Sequence, residues 1–164
     1  MKVMRYMLRE YYGIPAEEGG AVAYHYVNRG FTQLDEEGGA QVETEAYIGD
    51  RNGTTTVTGY ENSWAYNTQY ISDEAVTKDI VDIARYQRTG SDCERDLVSI
   101  DMSEEPVSDG TYKARHFKIA VEAAPPQGEP RSITTSEGTF HQIGDMEEGT
   151  FNITTQTFTA DEKA

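Results

Sequence analysis

The sequence predicts a mainly β domain with a single α-helix laid against a sheet. Three observations carry this. Runs in which apolar and polar residues alternate with a period of two recur along the chain, separated by Gly, Pro and Asn. One stretch, residues 72–88, gives a single good helix, with its apolar residues in one stripe. No run approaches the ~20 apolar residues of a membrane span. About eight strands and one helix result. A closed barrel, a packed sandwich or pairing between subunits would satisfy the edges of such a sheet.

In chain order, residues 1–12 can form a short helix through Met4, Met7 and Leu8, or a strand through their tyrosines. Residues 13–20, with Pro15 and the pair Gly19 and Gly20, read as a loop. Residues 21–27 alternate, and Asn28, Arg29 and Gly30 turn the chain. Residues 31–41 begin as a strand and become an acidic, Gly-rich loop. Residues 42–48 read as a half-buried strand, with Val42, Thr44, Ala46 and Ile48 on one side and Glu43, Glu45 and Tyr47 on the other. Asp50, Arg51, Asn52 and Gly53 form a turn, because Asn-Gly readily takes positive φ. Residues 54–60 and 64–71 are the next strands.

Ser72 and Asp73 can cap the helix, in which Val76, Ile80, Ile83 and Ala84 form the core stripe. Gly90 offers the stop, near Arg88. Residues 94–102 and 111–123 are strands, the second ended by Pro125 and Pro126. Residues 133–143 and 149–158 form two more across a turn at 144–148. Phe158 breaks the phase set by Phe151 and Ile153, which calls for a bulge or bend. Residues 159–164 read as a frayed tail.

At 164 residues the chain is one domain, long enough to bury its own core. Its formal net charge is −15. Residues 1–90 carry 14 acids and 8 bases, and residues 91–164 carry 15 and 6, so the charge is spread rather than confined to a tail. Such a surface favours solubility and repels nucleic acid and anionic membranes, and no basic patch for nucleic acid is visible. The single Cys93 excludes an internal disulfide and a cysteine-rich zinc site. The first twelve residues are too polar for a signal peptide, so synthesis in the cytoplasm is expected.

Catalytic patterns are not found. His25, His116 and His141 are isolated in sequence, without metal-ligand spacing, so neither a metal nor a cofactor is expected. Cys93 stands between Asp92 and Glu94, a poor setting for a nucleophilic thiolate. Ser63 and Ser99 lack a nucleophile elbow, and Asp145, Glu147 and Glu148 fail the calcium-loop spacing. No Gly-Lys-Ser/Thr follows the glycine pairs, so no phosphate loop is formed. The expectation is a protein that is not an enzyme.

Several segments, in order, resemble the tail tube (major tail) proteins of long-tailed phages infecting Gram-positive bacteria. They are GFTQLDEEGGAQ at 30–41, ETEAYIGDRNGTTTVTGYENSWAYNTQYISD at 43–73, and EAVTKDIVDIARYQRTGSDCE at 74–94. YKARHFKIAVE at 112–122 and IGDMEEGTFNITTQTFT at 143–159 complete them. The resemblance implies an antiparallel β-sandwich or half-barrel with one flanking helix. It divides the chain into an N-terminal arm and first strand (1–29), the β-domain (30–159) and a disordered tail (160–164). It also implies a structural virion protein of the tail, made in the host cytoplasm. Six subunits would form a ring, and rings would stack into the hollow tube that conducts double-stranded DNA during ejection. The implied partners are other copies of the chain, a tape-measure protein, and the tail terminator and distal tail proteins, with no membrane. Related possibilities are the tube subunit of a contractile tail or of a phage-tail-like bacteriocin. A monomeric β-barrel that binds a small molecule is the alternative of another class.

A conduit for DNA must not hold it, and a wall poor in Lys and Arg avoids phosphate binding. Acidic repulsion reaches about a Debye length, ~10 Å at 0.1 M salt. Glu43, Glu45, Thr54, Thr56 and Thr58 are the candidate lumen-facing positions. Asp35, Glu36, Glu37, Gly38, Gly39 and Ala40 are the candidate ring-stacking loop, where low bulk permits close approach.

Overall fold

The computed structural model describes residues 1–16 and 20–162. Residues 17–19 of the expected loop and 163–164 of the expected tail lie outside them. The ten strands are β1 (Leu8–Ile14), β2 (Ala23–Tyr26), β3 (Phe31–Glu36), β4 (Ala40–Glu45), β5 (Thr54–Tyr60), β6 (Ser63–Gln69), β7 (Glu94–Asp101), β8 (Thr111–Ala123), β9 (Thr135–Asn152) and β10 (Thr157–Ala160). The helix α1 spans Ala75–Arg85. The main sheet runs in the order β2-β1-β7-β8-β9-β6-β3, with β10 also on β9, and β4 and β5 form a separate two-stranded ribbon. Every pairing is antiparallel.

The sheet curls into a half-barrel. Its terminal strand β3 curls back over the sheet, where Arg115 of the central strand β8 holds Glu36 through two bonds of 3.0 and 2.9 Å. Arg5, just before β1, donates to the Leu34 carbonyl of β3 at 3.0 Å. Strand alternation sends side chains to two faces. On one, α1 packs against β8 and β1 and closes a core of Tyr12, Trp64, Tyr66, Val76, Ile80, Ile83, Leu97, Phe117, Ile119 and Phe140. On the other lies a smaller cluster of Tyr11, Val98, Ile100, Ala114 and Phe151. Burying each large side chain stabilises the fold by ~1.5–3 kcal/mol.

The helix differs in detail from its sequence reading. Neither Ser72 nor Asp73 caps it; Glu74 is the N-cap and makes no side-chain cap bond. Instead the Thr77 hydroxyl, inside the first turn, lies 2.7 Å from the Ile71 carbonyl and 3.2 Å from that of Glu74. The stop is Gln87, in the left-handed region at φ 50°, with the Arg88 amide returning to the Ile83 carbonyl. Gly90 (φ 58°) opens a 3-10 turn into β7 instead. Val76, Ile80 and Ile83 are buried, Ala84 is half-buried, and Val81 and Thr77 complete the buried face. Arg95 and Tyr12 both bond Asp79, tying the helix to the sheet, with Arg95 Nε at 2.9 Å and the Tyr12 hydroxyl at 2.7 Å.

Other segments depart further. Of the two readings of residues 1–12, the strand forms: after a 3-10 turn at Arg5–Met7, β1 runs between β2 and β7. The expected turn at 144–148 is an irregularity inside one 18-residue strand, β9, where the register on β8 jumps between His116 and Lys118. The reversal falls later, at residues 153–156, and places Phe158 directly opposite Phe151. That hairpin accounts for the phase slip, and it carries the strand through Thr159 and Ala160, the first residues of the expected frayed tail.

Candidate functional site

The ribbon of β4 and β5 is the feature of this chain with the least internal support. All six residues of β4 are exposed, as are all but one of β5. The half-burial expected for residues 42–48 is not met, because among the described residues no second layer lies beneath the ribbon. The expected Asn-Gly turn differs too: Asn52 and Gly53 are absent from the positive-φ residues. The tip is instead held by Asp50, whose carboxylate accepts from the Tyr47 amide at 2.9 Å while its own amide donates to the Tyr47 carbonyl.

Register gives the ribbon two distinct faces. Glu43 lies opposite Thr56 and Glu45 opposite Thr54, on one side. Val42 lies opposite Val57 and Thr44 opposite Thr55, on the other, where the two threonine hydroxyls are 2.9 Å apart. A bulge between Gln41 and Val42 takes up Thr58, whose hydroxyl donates to the Gln41 carbonyl. The structure thus brings Glu43, Glu45, Thr54 and Thr56 together on one acidic and hydroxyl-rich face, with Thr58 following at the bulge.

The ribbon's root is built more firmly. Of the residues read as a ring-stacking loop, Asp35 and Glu36 end β3, Ala40 starts β4, and only Glu37, Gly38 and Gly39 lie between strands. The short link exists because side chains hold it. Asn62 accepts from the Gly38 amide and donates to the Glu36 carboxylate, both at 2.9 Å. Gly38 and Gly39 take φ of 73° and 60°. At Gly39 a Cβ would sit 2.1 Å from the Glu61 carbonyl oxygen, so only glycine fits.

Beside this root a cleft of about 720 Å³ opens along the seam between β3 and the strands it faces, β1, β7, β8 and β9. Charged residues dominate its lining, including Arg5, Glu10, Glu36 and Arg115. Burial pushes the Glu10 carboxyl up from its ordinary value, against the nearby Arg5 charge. Burial acts on Glu36 in the same direction, but hydrogen bonds from Arg115 and Asn62 outweigh it and hold that carboxyl below the usual range. Among the described residues no group of three or more His, Cys, Asp or Glu is placed to hold a metal ion.

Asn62, Arg115 and Arg5 went unnoticed in the sequence reading. Glu36 and Arg115 are 79 positions apart, and no local pattern joins them. Asn62 follows Glu61 after a strand, a place where asparagine ordinarily means only a turn.

No family model and no curated protein matches this sequence. Solved structures do. The chain is similar to the SPP1 tail tube, determined by solid-state NMR and cryo-EM, with a TM-score of 0.64 at 9% identity, covering 90% of this chain and 78% of that one. It is also similar to a chain of the anti-feeding prophage baseplate, determined by cryo-EM with six-fold symmetry, with a TM-score of 0.52 at 8% identity, covering 90% of this chain and 95% of that one. The fold is thus of the phage tail-tube type, a mainly β half-barrel with one helix.

Proposed function

We propose that the chain is a structural subunit of a phage tail tube, in which six copies close a ring and rings stack into a hollow conduit for DNA. The observation that carries this reading is the combination of a tail-tube-type half-barrel with an exposed ribbon that pairs with no other strand among the described residues. The terminal strands β2 and β3 each pair on one side only, and their free edges supply backbone groups for joining neighbours. The six-fold symmetry of the similar baseplate supports a ring of six. The acidic and hydroxyl-rich face of Glu43, Glu45, Thr54, Thr56 and Thr58 suits a wall that DNA passes without binding. The root at Asp35, Glu36, Glu37, Gly38, Gly39 and Ala40 directs the ribbon toward the next ring. A tape-measure protein fills the tube during assembly, and terminator and distal tail proteins close its ends. The protein has no catalytic role and resides in the virion tail.

The baseplate likeness favours a second reading, a tube or baseplate-proximal subunit of a contractile tail or of a phage-tail-like bacteriocin. Electron microscopy of the concentrated protein tests both: stacked rings are expected, and a strict monomer would return the chain to the class of small-molecule-binding barrels. With a net charge of −15 the subunits repel, so raising salt from low to moderate concentration is expected to speed tube growth. Growth unchanged or slowed over that range contradicts this account of the assembly.

A further inference from the structure

We propose that residues 1–4 of one copy dock as a third strand along the free edge of β4 in a second copy. This rests on the reading that copies of the chain assemble. The N-terminal segment is apolar and unsupported: Met1 is 92% exposed, Val3 48% and Met4 54%, and the 3-10 turn that follows buries no residue. Met4 is extended, at φ −93° and ψ 151°. In an extended chain Met1 and Val3 fall on one side and Lys2 and Met4 on the other.

The ribbon has the complementary pattern. Val42 and Val57 face each other on one side and are 59% and 52% exposed. Glu43 and Glu45 occupy the other side of the same strand. A strand added beside β4 in this phase sets Val3 against Val42 and Lys2 against Glu43 and Glu45. Shifting the phase by one residue places Lys2 on the valines and loses both matches. Among the described residues no ion pair includes Lys2, although the chain is strongly acidic. A two-stranded ribbon is marginal alone, and a third strand gives it the support its own chain does not. Opposite charges placed across strands add to the pairing, and like charges there oppose it.

Zero-length carbodiimide coupling on a mixture of ¹⁵N-labelled and unlabelled full-length protein tests this, at high concentration and whether or not tubes form. Peptides joining Lys2 to Glu43 or Glu45, half of them between labelled and unlabelled copies, are the expected result. Lys2→Glu is expected to slow association about tenfold, and Glu43→Lys with Glu45→Lys in the same chain is expected to restore it. Deleting residues 2–4 is expected to leave thermal unfolding unchanged, which separates docking from folding. Coupling confined to one isotope would mean that the segment lies on its own chain's ribbon and would overturn the proposal. Tubes that form normally without Lys2 coupling would overturn it too, while leaving the tube reading intact.

Discussion

Asp79→Ala isolates the attachment of the helix to the sheet. In the folded chain the Asp79 carboxylate accepts from Arg95 at 2.9 and 3.2 Å and from the Tyr12 hydroxyl at 2.7 Å. The side chains of Arg95 and Asp79 are only 6% and 12% exposed. Removing the carboxylate leaves a buried guanidinium and a buried phenol without that acceptor. Arg95 keeps its bonds to the Asp92 and Glu94 carbonyls, which accept hydrogen bonds but carry no compensating charge. Truncating one partner of such a pair costs ~3–5 kcal/mol. For a domain of this size that lowers Tm by roughly 6–20 °C. Asp82→Ala on the same helix is the internal control. Its ion pair with Lys78 spans 3.8 Å at the surface, and its loss is expected to cost less than ~0.5 kcal/mol. Urea unfolding followed by circular dichroism gives both values, and hydrogen exchange within α1 locates the effect. An Asp79→Ala loss below about 1 kcal/mol, or one equal to that of Asp82→Ala, would refute the assignment of this cluster as the anchor of the helix.

Further outcomes follow from the ribbon root, the seam and the helix end. Gly39→Ala is expected to loosen the ribbon, read as faster tryptic cleavage at Arg51 near its tip. Gly38→Ala, with no atom within 4 Å of the added methyl, is expected to cost only the left-handed penalty of about 1 kcal/mol; equal effects would contradict the close approach at Glu61. Because the folded Glu36 carboxyl lies below its ordinary 4.5, its contribution to stability is present above that value and is lost as pH falls through the lower folded one. The stability gap between the wild-type protein and Glu36→Gln should therefore be full near neutral pH and close in acid; a gap independent of pH would exclude the Arg115 pairing as its source. Gln87→Gly removes a side chain from a left-handed position and is expected to stabilise the chain by about 1 kcal/mol, measured by urea midpoint.

By itself the sequence determined the class of the fold and most of its elements. The β-branched run at residues 54–60 coincides with the bounds of β5, and Val76, Ile80 and Ile83, spaced at the helical period, lie on the buried face of α1. These signals are local, since a period of two or of 3.6 is printed in neighbouring residues. Tertiary structure alone decided what lies on either side of a strand. Residues 40–45 and 111–123 both alternate, yet the first stands free as half of a ribbon and the second lies between two cores. Alternation records that two faces differ, not whether either is covered. The seam was invisible for a related reason: Asn62 reaches Glu36 through the pairing of β3 with β6, Arg115 reaches it only when the sheet has curled, and the distances in sequence leave no local trace. The ribbon's acids were legible as a candidate site. Alternation alone puts Glu43 and Glu45 on one side; that Thr54 and Thr56 join them, opposite an exposed valine pair, follows from the β4–β5 register, which shifts at a bulge between Gln41 and Val42.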